Sequence, residues 1–339
     1  MSPLPSFQKP HAVRPGDTVA VVAPAGPFDR LAFETGLAVI SGRYAPRYDE
    51  NILSRQRYLA GSDERRFNEL VSALADPDVK AVFCARGGYG AMRLLPRLAA
   101  WAGKHTGRLI AAKPLIGFSD ITALHLWLQS NGLASIHAPV LTQLGRLSPQ
   151  GISPLGIPSV APAGDSFAGR SVAARSPAEN PRRLFSLLES AAPASPLEGT
   201  DTYVEGTAEG PLLGGNLSVL TRLLGTPFMP DLEGAVLLLE DLSEQPYRLD
   251  RMWMHLELAG VFRQIRGIVL GQFLGCEPRD GGYTAAAVLR DLAVATGLPC
   301  AVGFPIGHGD VNEAVGLGVR VRLEAGARRV TFLEAGVVG

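Results

Sequence analysis

One stretch in the first half of the chain joins the end of a strand to the start of a helix. The apolar run Pro114–Phe118 leads through Ser119 and Asp120 into residues 121–128, whose apolar positions have helical spacing. A strand that passes directly into a helix is typical of α/β folds, in which the turn lies at the carboxyl edge of a sheet. A serine at this turn also lies beside the positive end of the helix dipole. We therefore expect Ser119 to lie at a functional sheet edge.

The rest of the first 145 residues repeats this alternation of strand and helix. Apolar runs at 17–22 and 79–84 end in turns rich in Pro or Gly, whereas residues 28–41 and 63–74 have helical spacing. Strands that alternate with helices pair in parallel, because each helix carries the chain back to the start of the next strand. We predict an N-terminal α/β domain over residues 1–145, with a parallel sheet of the nucleotide-binding type.

The length of 339 residues indicates two domains, and the composition changes between them. Over residues 146–206, Pro, Gly, Ser and Ala dominate, and only residues 181–188 have a clear helical pattern. We interpret this stretch as a linker or crossover. The stretch has few apolar residues at the regular spacing that a packed helix or strand needs.

Regular patterns return in the last part of the chain. Residues 214–220 are predicted to open a helix, and apolar runs at 235–240 and 267–273 are predicted strands. Residues 318–333 alternate in the manner of an antiparallel hairpin. We predict a smaller, mixed α/β C-terminal domain over residues 207–339.

Charge and hydropathy exclude several classes of partner. Lys and Arg together number 32, and so do Asp and Glu, which gives a formal net charge of zero. The basic residues are scattered, so we expect no nucleic-acid partner and no anionic membrane surface. No apolar run reaches the roughly 18 residues of a membrane span, and residues 1–15 lack the apolar core of a signal peptide. We expect a cytoplasmic protein.

Neither a metal nor a cofactor is expected. Cys84, Cys276 and Cys300 are far apart and lack the spacing of zinc ligands, so we interpret them as buried thiols. The glycine-rich segment Ala85–Gly90 matches neither the GxGxxG fingerprint nor a phosphate-binding Walker loop. It is either a plain tight turn, a phosphate cradle, or a source of backbone N–H groups for an oxyanion. We favour the last interpretation, with Gly88 and Asp120 as the two donors.

A nucleophilic serine needs a base and a group that orients the base. Among the six histidines, His308 stands in a glycine-flanked loop directly after a strand, where an imidazole can approach a ligand closely. His137, at a strand end near Ser119, is the second candidate. Glu240 ends an apolar strand, where a carboxylate is costly without a partner such as a histidine. Helix capping by the adjacent Asp241 is the alternative use of this strand end.

Seven short motifs together resemble the LD-carboxypeptidase family, the serine peptidases that trim murein peptides. They occur in the order of the family over most of the chain: Gly61–Arg65, Ala85–Gly90, Gly117–Asp120, Gly214–Leu217, Leu239–Asp241, Pro246–Arg251 and Gly307–His308. Each motif alone is weak, whereas the ordered set is specific.

The resemblance implies a Ser-Glu-His triad of Ser119, Glu240 and His308, with the serine on the first domain and its partners on the second. It also implies a homodimer without a metal, acting on a murein peptide substrate to release a terminal D-alanine in the cytoplasm. Arg86 is a candidate for binding the terminal carboxylate, and a structural salt bridge is an equal alternative. Because Ile121 follows two residues after Ser119, the segment is not the Gly-x-Ser-x-Gly elbow of α/β-hydrolases.

Two other functions stay open at this point. Immunity-type peptidases of the same family cleave peptidyl-nucleotide antibiotics. In such a protein, a tryptophan in the variable loop, which corresponds to residues 144–207 here, is expected to stack on the nucleobase. Here Trp101, Trp127 and Trp253 all lie outside residues 144–207, which argues against that role. A non-catalytic protein that binds a phosphate or a peptide carboxylate on its glycine-rich turn is the other alternative.

Overall fold

The computed structural model of this chain describes residues 6–104, 113–146, 180–279 and 281–339. Within them the strands are β1 (Thr18–Val22), β2 (Ala45–Arg47), β3 (Ala81–Cys84), β4 (Leu115–Gly117), β5 (Ser135–His137), β6 (Leu197–Glu198), β7 (Asp201–Val204), β8 (Thr207–Asn216), β9 (Val236–Leu242), β10 (Gly267–Leu274), β11 (Cys300–Val302), β12 (Val315–Leu317), β13 (Arg320–Glu324) and β14 (Arg329–Phe332). The α-helices are α1 (Arg30–Ser41), α2 (Asp63–Ala75), α3 (Leu95–Ala102), α4 (Thr122–Ser130), α5 (Leu141–Arg146), α6 (Asn180–Glu189), α7 (Leu217–Thr221), α8 (Pro246–Leu258) and α9 (Ala285–Thr296).

The first sheet has six strands in the order β12-β5-β4-β3-β1-β2. Strands β1 to β5 pair in parallel, and β12, from the far end of the chain, pairs antiparallel with β5. The two faces of β1 enter different cores, with Val19 and Val21 in one and Ala20 and Val22 in the other. A parallel sheet buried on both faces needs covering layers on both sides. The predicted parallel α/β sheet is confirmed.

The second sheet has eight strands in the order β6-β14-β13-β8-β9-β10-β11-β7. Its centre, β8 to β11, is parallel, and antiparallel strands pair on both sides of that centre. Strands β13 and β14 form the predicted hairpin, in which Val321 lies opposite Phe332. The predicted mixed α/β arrangement of the C-terminal part is confirmed.

The stretch predicted as a linker, residues 146–206, contributes to the second sheet. Residues 147–179 lie outside the described residues, but α6 covers the predicted helix at 181–188. Strand β6 then pairs with β14, and β7 pairs with β11. In the other direction, β12 leaves the predicted C-terminal domain and joins the first sheet. The domain limits at 145 and 206 stay predictions. Strands β6 and β7, which precede residue 206, belong to the second sheet, and β12, which follows it, belongs to the first.

One helix begins later than predicted. Residues 214–216 end strand β8 instead of opening a helix, and α7 starts at Leu217. Asn216 pairs in register with Glu240 of β9, and its side-chain Oδ1 accepts a hydrogen bond from the Val219 N–H at 3.1 Å. The pairing with a strand distant in sequence extends β8 up to the capping residue, which a local pattern does not reveal.

A hydrogen bond and a chain connection bring the two sheets together beside Ser119. The backbone N–H of Asn216 donates to Thr122 Oγ1 at 3.0 Å, and Thr122 is the first residue of α4. The connection from β11 to β12, residues 303–314, leaves the second sheet and enters the first. In parallel sheets, ligands bind at the carboxyl ends of the strands. The carboxyl ends of β4 and β9 meet at this junction between the two sheets.

Candidate active site

Ser119 occupies a strained turn between β4 and α4. Its φ is +64°, a left-handed conformation that residues other than Gly, Asn and Asp rarely adopt. A short 3₁₀ turn over Ser119–Ile121 continues directly into α4. Such backbone strain costs on the order of 1–3 kcal/mol and is concentrated at functional sites. The turn holds the Ser119 side chain at the junction of the two sheets.

His308 connects Ser119 with Glu240. The His308 Nε2 atom lies 3.1 Å from Ser119 Oγ, and Nδ1 lies 2.7 Å from Glu240 Oε2. An ionised carboxylate can only accept, so the Nδ1–H donates to Glu240 and leaves the Nε2 lone pair to accept the Ser119 O–H. The structure therefore brings together the three side chains predicted from the sequence, in a hydrogen-bonded chain.

The carboxylate changes the proton affinity of this imidazole. Burial by itself lowers the pKa of His308, but the hydrogen bond and charge of Glu240, with a further contribution from Asp241, outweigh burial and raise it above its ordinary value. The raised pKa means that Glu240 stabilises the imidazolium form. An imidazole in this environment can take a proton from a serine and hold it as a stabilised cation.

Glu240 is fully buried at the carboxyl end of β9, directly against the His308 loop. Gly307 has a φ of +129°, and a Cβ at this residue would lie 2.8 Å from Glu240 Oε2. A side chain at position 307 would therefore displace the carboxylate from the imidazole. The glycine before the histidine serves the approach of Glu240 to His308.

Three amide side chains that no sequence motif reveals hold the His308 loop. Asn312 Oδ1 accepts from the Gly307 N–H at 3.0 Å, and Gln272 Oε1 accepts from the Gly309 N–H at 2.7 Å. Asn312 Nδ2 in turn donates to Gln143 Oε1 at 3.1 Å, which links the loop to α5. Each is a single polar residue in a loop, a strand or a helix, so no periodic pattern marks it and only its tertiary contact reveals this function.

The glycine-rich turn after β3 lies against Ser119. A Cβ at Gly87 would lie 2.8 Å from Ser119 Cβ and 3.2 Å from the Asp120 backbone nitrogen. The Gly87 carbonyl accepts from the Gly26 N–H at 3.0 Å, and in a trans peptide the Gly88 N–H points to the opposite side. Asp120 lies in the first turn of a helical segment, where N–H groups lack an intrahelical acceptor. Both predicted oxyanion donors therefore belong to turns that border Ser119.

Comparison with known proteins identifies the family. Residues 19–138 match the family description "LD-carboxypeptidase N-terminal domain", and residues 209–323 match "LD-carboxypeptidase C-terminal domain". The murein tetrapeptide carboxypeptidase of Pseudomonas aeruginosa is 35% identical over 316 residues, which cover 92% of this chain and 94% of that protein. This chain belongs to the LD-carboxypeptidase family. It is a serine-type carboxypeptidase, and the predicted resemblance is confirmed.

Two solved structures share the fold of this LD-carboxypeptidase. Muramoyltetrapeptide carboxypeptidase from Oxalobacter formigenes matches with a TM-score of 0.72 at 26% identity, covering 93% of this chain and 97% of that chain. The microcin C7 self immunity protein MccF matches with a TM-score of 0.81 at 19% identity, covering 97% of this chain and 99% of that chain. The second likeness concerns the fold alone.

Two further histidines of this LD-carboxypeptidase, His125 and His137, are buried and form no hydrogen bond with Ser119. His125 Nε2 lies 2.9 Å from the Gly117 carbonyl oxygen, and His137 is fully buried beside Phe118. Burial lowers the pKa of His125 to about 4 and that of His137 to about 3. The candidacy of His137 as the base is therefore not supported, because His308 holds the contact with the Ser119 hydroxyl.

Asp241 and Arg86 have separate surroundings. Asp241 Oδ2 accepts from the Ser218 N–H at 2.9 Å in the first turn of α7, which is the capping use considered above for this strand end. Arg86 is exposed, and its guanidinium donates to the Pro27 carbonyl. The guanidinium carbon lies 3.9 Å from the position of a Cβ on Gly88, so Arg86 faces the glycine-rich turn.

The described part of the chain contains neither a metal-binding cluster nor a membrane-spanning helix. Among residues 6–104, 113–146, 180–279 and 281–339, no group of three or more His, Cys, Asp or Glu side chains could hold a metal ion. The same part of the chain has no helix with the length and apolar character needed to cross a bilayer. The three cysteines are buried thiols, as predicted.

Proposed function

We propose that this LD-carboxypeptidase hydrolyses the L,D-peptide bond that releases the terminal D-alanine from murein tetrapeptides in the cytoplasm, as a step in peptidoglycan recycling. The observation that carries the proposal is the hydrogen-bonded chain from Ser119 through His308 to Glu240. The family and the relative that is named a murein tetrapeptide carboxypeptidase supply the substrate class. We also propose that the enzyme is a homodimer, as the family resemblance implies.

In the proposed reaction, Ser119 Oγ attacks the carbonyl carbon before the terminal D-alanine. His308 Nε2 accepts the hydroxyl proton, while Glu240 holds the Nδ1–H and stabilises the imidazolium. When the tetrahedral intermediate collapses, His308 gives the proton to the amine of the departing D-alanine. Water, activated by the same imidazole, then attacks the acyl-enzyme and releases the tripeptide.

The negative charge of the tetrahedral intermediate needs donors fixed in advance. We assign this role to the backbone N–H groups of Gly88 and Asp120, since a Cβ on Gly87 would lie 3.1 Å from Ser119 Oγ and 3.2 Å from the Asp120 nitrogen. One such donor is typically worth on the order of 10²–10³ in turnover. Because both donors are backbone groups, they are tested through the residues that fix their turns.

An exopeptidase must also bind the terminal carboxylate of its substrate. We assign this role to Arg86, because its exposed guanidinium faces the glycine-rich turn beside the nucleophile. A guanidinium binds a carboxylate through two parallel hydrogen bonds, a geometry that lysine cannot reproduce. The Arg86→Lys variant is expected to raise KM more than it lowers kcat, and Arg30→Lys, at another exposed arginine, is the matched control.

The central experiment measures products by mass spectrometry after incubation with a murein tetrapeptide. The native enzyme is expected to yield the tripeptide and D-alanine, and Ser119→Ala is expected to lower turnover by at least about 10³-fold while remaining folded. Ser130→Ala, at the end of the same helix α4, is the matched control and keeps native turnover. Native-like turnover in Ser119→Ala would exclude this serine as the nucleophile.

Two further arms separate the alternatives. Incubation with an aminoacyl sulfamoyl adenosine tests the immunity-type activity, and turnover of that compound without turnover of the tetrapeptide would replace the proposal. Two of the tryptophans, Trp127 and Trp253, are buried in the core, where they cannot stack on a base. Tight tetrapeptide binding without turnover, unchanged in Ser119→Ala, would instead indicate a non-catalytic binding protein.

A further inference from the structure

Arg66 is a buried charge that the triad does not use. Its side chain is 0% exposed, on the face of α2 that packs under the glycine-rich turn. A buried guanidinium is costly unless its N–H groups find acceptors. Here the acceptors are the Gly90 carbonyl at 2.8 Å, the Pro24 carbonyl and the Asp63 carboxylate.

The two carbonyls belong to the turns that follow β1 and β3, which are neighbouring parallel strands. Pro24 lies two residues after the end of β1, and Gly90 closes the glycine-rich turn after β3. The Gly26 N–H donates to the Gly87 carbonyl at 3.0 Å, which ties the same two turns a second time. Arg66 thus fixes the far end of the turn whose near end lies against Ser119.

The peptide between Gly90 and Ala91 is held at both of its polar groups. Its carbonyl accepts from Arg66, and its N–H donates to Asp120 Oδ2 at 2.8 Å. The Asp120 carboxylate is itself buried and directly follows the nucleophile Ser119 in the chain. A cation, a peptide and a carboxylate in series polarise one another, which strengthens each hydrogen bond in a low-dielectric interior.

We propose that Arg66 is a positioning residue for the oxyanion-stabilising turns. It fixes the Gly90–Ala91 peptide, and through that peptide it sets the positions of Asp120 and of the Gly88 N–H relative to Ser119 Oγ. The inference rests on the proposed function, because it assumes that these N–H groups stabilise the oxyanion. It has a specific kinetic consequence: losing the arginine weakens transition-state stabilisation and leaves ground-state binding of the substrate in place.

The test compares Arg66→Lys with Arg65→Lys. A lysine ammonium is a compact point charge that cannot reproduce the fork by which Arg66 spans two carbonyls and Asp63. Arg65 is the matched control: the neighbouring arginine on the same helix also bonds one carbonyl, of Ala60, and one carboxylate, of Glu69, each at 2.7 Å. Its partners are not in the peptide that reaches Asp120.

The measurement is kcat for the murein tetrapeptide per competent active site, with sites counted by the end point of titration with a fluorophosphonate. Arg66→Lys is expected to lower kcat per site by about 10–100-fold with KM within about 3-fold, and the phosphonylation rate is expected to fall in parallel. Arg65→Lys is expected to keep kcat per site within about 2-fold. If Arg66 had only a structural role, Arg66→Lys would reduce the number of competent sites and leave kcat per site unchanged. That result would overturn the proposal.

A second variant covers the case in which Arg66→Lys does not fold. In Gly90→Ala, the new Cβ would lie 2.8 Å from Arg66 Nη1 and 2.6 Å from Leu59 Cδ2, so it would push the same contact apart from the opposite side. The expected result is again a loss in kcat per site, and native kcat per site in this variant would overturn the inference. If Ser119→Ala is inactive while both variants keep native kcat, the inference alone fails. If Ser119→Ala keeps native turnover, the proposed function fails first.

Discussion

Two histidine side chains, His308 and His137, lie next to the phenyl ring of Phe118. The ring centroid of Phe118 is 4.8 Å from that of His308 and 5.8 Å from that of His137. Both histidines are largely enclosed by protein, yet burial lowers the pKa of His137 to about 3, whereas the pKa of His308 is raised. Neither ring nitrogen of His137 has a hydrogen-bond partner among the described residues, whereas His308 donates to Glu240.

The comparison shows how a buried carboxylate changes the proton affinity of a buried histidine. Removal from water disfavours the charged imidazolium at both positions. Only at His308 does a buried carboxylate compensate for that loss, so only there is the imidazolium stabilised. His137 and its neighbour His125 stay neutral and act as core residues.

The largest effect is expected from replacing each histidine in turn. His308→Ala removes the proposed base, and we expect kcat to fall by at least about 10³-fold while the protein stays folded. His137→Phe is the paired control and is expected to keep kcat within about 2-fold, because His137 does not contact Ser119. Steady-state kinetics on a murein tetrapeptide measures both values. A comparable loss in the two variants would break the distinction between the two imidazoles.

A smaller loss of kcat is expected when only the Glu240 carboxylate is neutralised. Glu240→Gln keeps the base but removes the charge that orients and stabilises it, so we expect kcat to fall by about 10²-fold, less than in His308→Ala. The adjacent Asp241→Asn alters the cap of α7 and removes the smaller contribution to the pKa of His308, so it is expected to lower kcat less than Glu240→Gln. If Glu240→Gln were as damaging as His308→Ala, the carboxylate would have a larger part than orientation.

The pH profile sharpens the comparison further. His308 must be neutral to accept a proton, so kcat/KM rises with pH through its pKa, and that acid limb is expected above pH 6.5 because the pKa is raised from 6.5. In Glu240→Gln, burial lowers the pKa of His308 without the opposing negative charge. The acid limb of kcat/KM is therefore expected to move to lower pH. A profile that stays in place in this variant would show that another group produces the limb.

The smallest effect concerns stability in acid. Burial lowers the pKa of His137 from its ordinary value of 6.5 to about 3 in the folded protein, so between these values the unfolded state binds the extra proton and stability falls as pH decreases. At pH 5 this amounts to about 2 kcal/mol from His137. Denaturant unfolding at pH 7 and at pH 5 measures this loss. The decrease in the free energy of unfolding between the two pH values is expected to be about 2 kcal/mol smaller in His137→Phe than in the native chain. An equal acid loss in His137→Phe and in the native chain would contradict the neutral assignment.

The local units of the site follow from the sequence, whereas the contacts that support it do not. Ser119 was predicted at a strand-to-helix turn because the apolar run and the helical spacing on either side are adjacent in the chain. Gln143, Gln272 and Asn312 were missed, although they hold the loop of His308. Each is a single polar residue whose partner lies elsewhere in the fold. The hydrogen bond from Asn216 to Thr122, which sets the junction of the sheets, was missed for the same reason.

By itself, the sequence determined the alternation of strands and helices and the chemical type of each candidate side chain. Both are local properties, set by backbone hydrogen bonding and by the spacing of apolar residues. Only the tertiary structure decided which histidine meets the serine, since Ser119 and His308 are 189 positions apart and come from different sheets. That meeting depends on strand pairing across the whole chain, and the proton affinity of the imidazole depends on the carboxylate that the pairing places beside it.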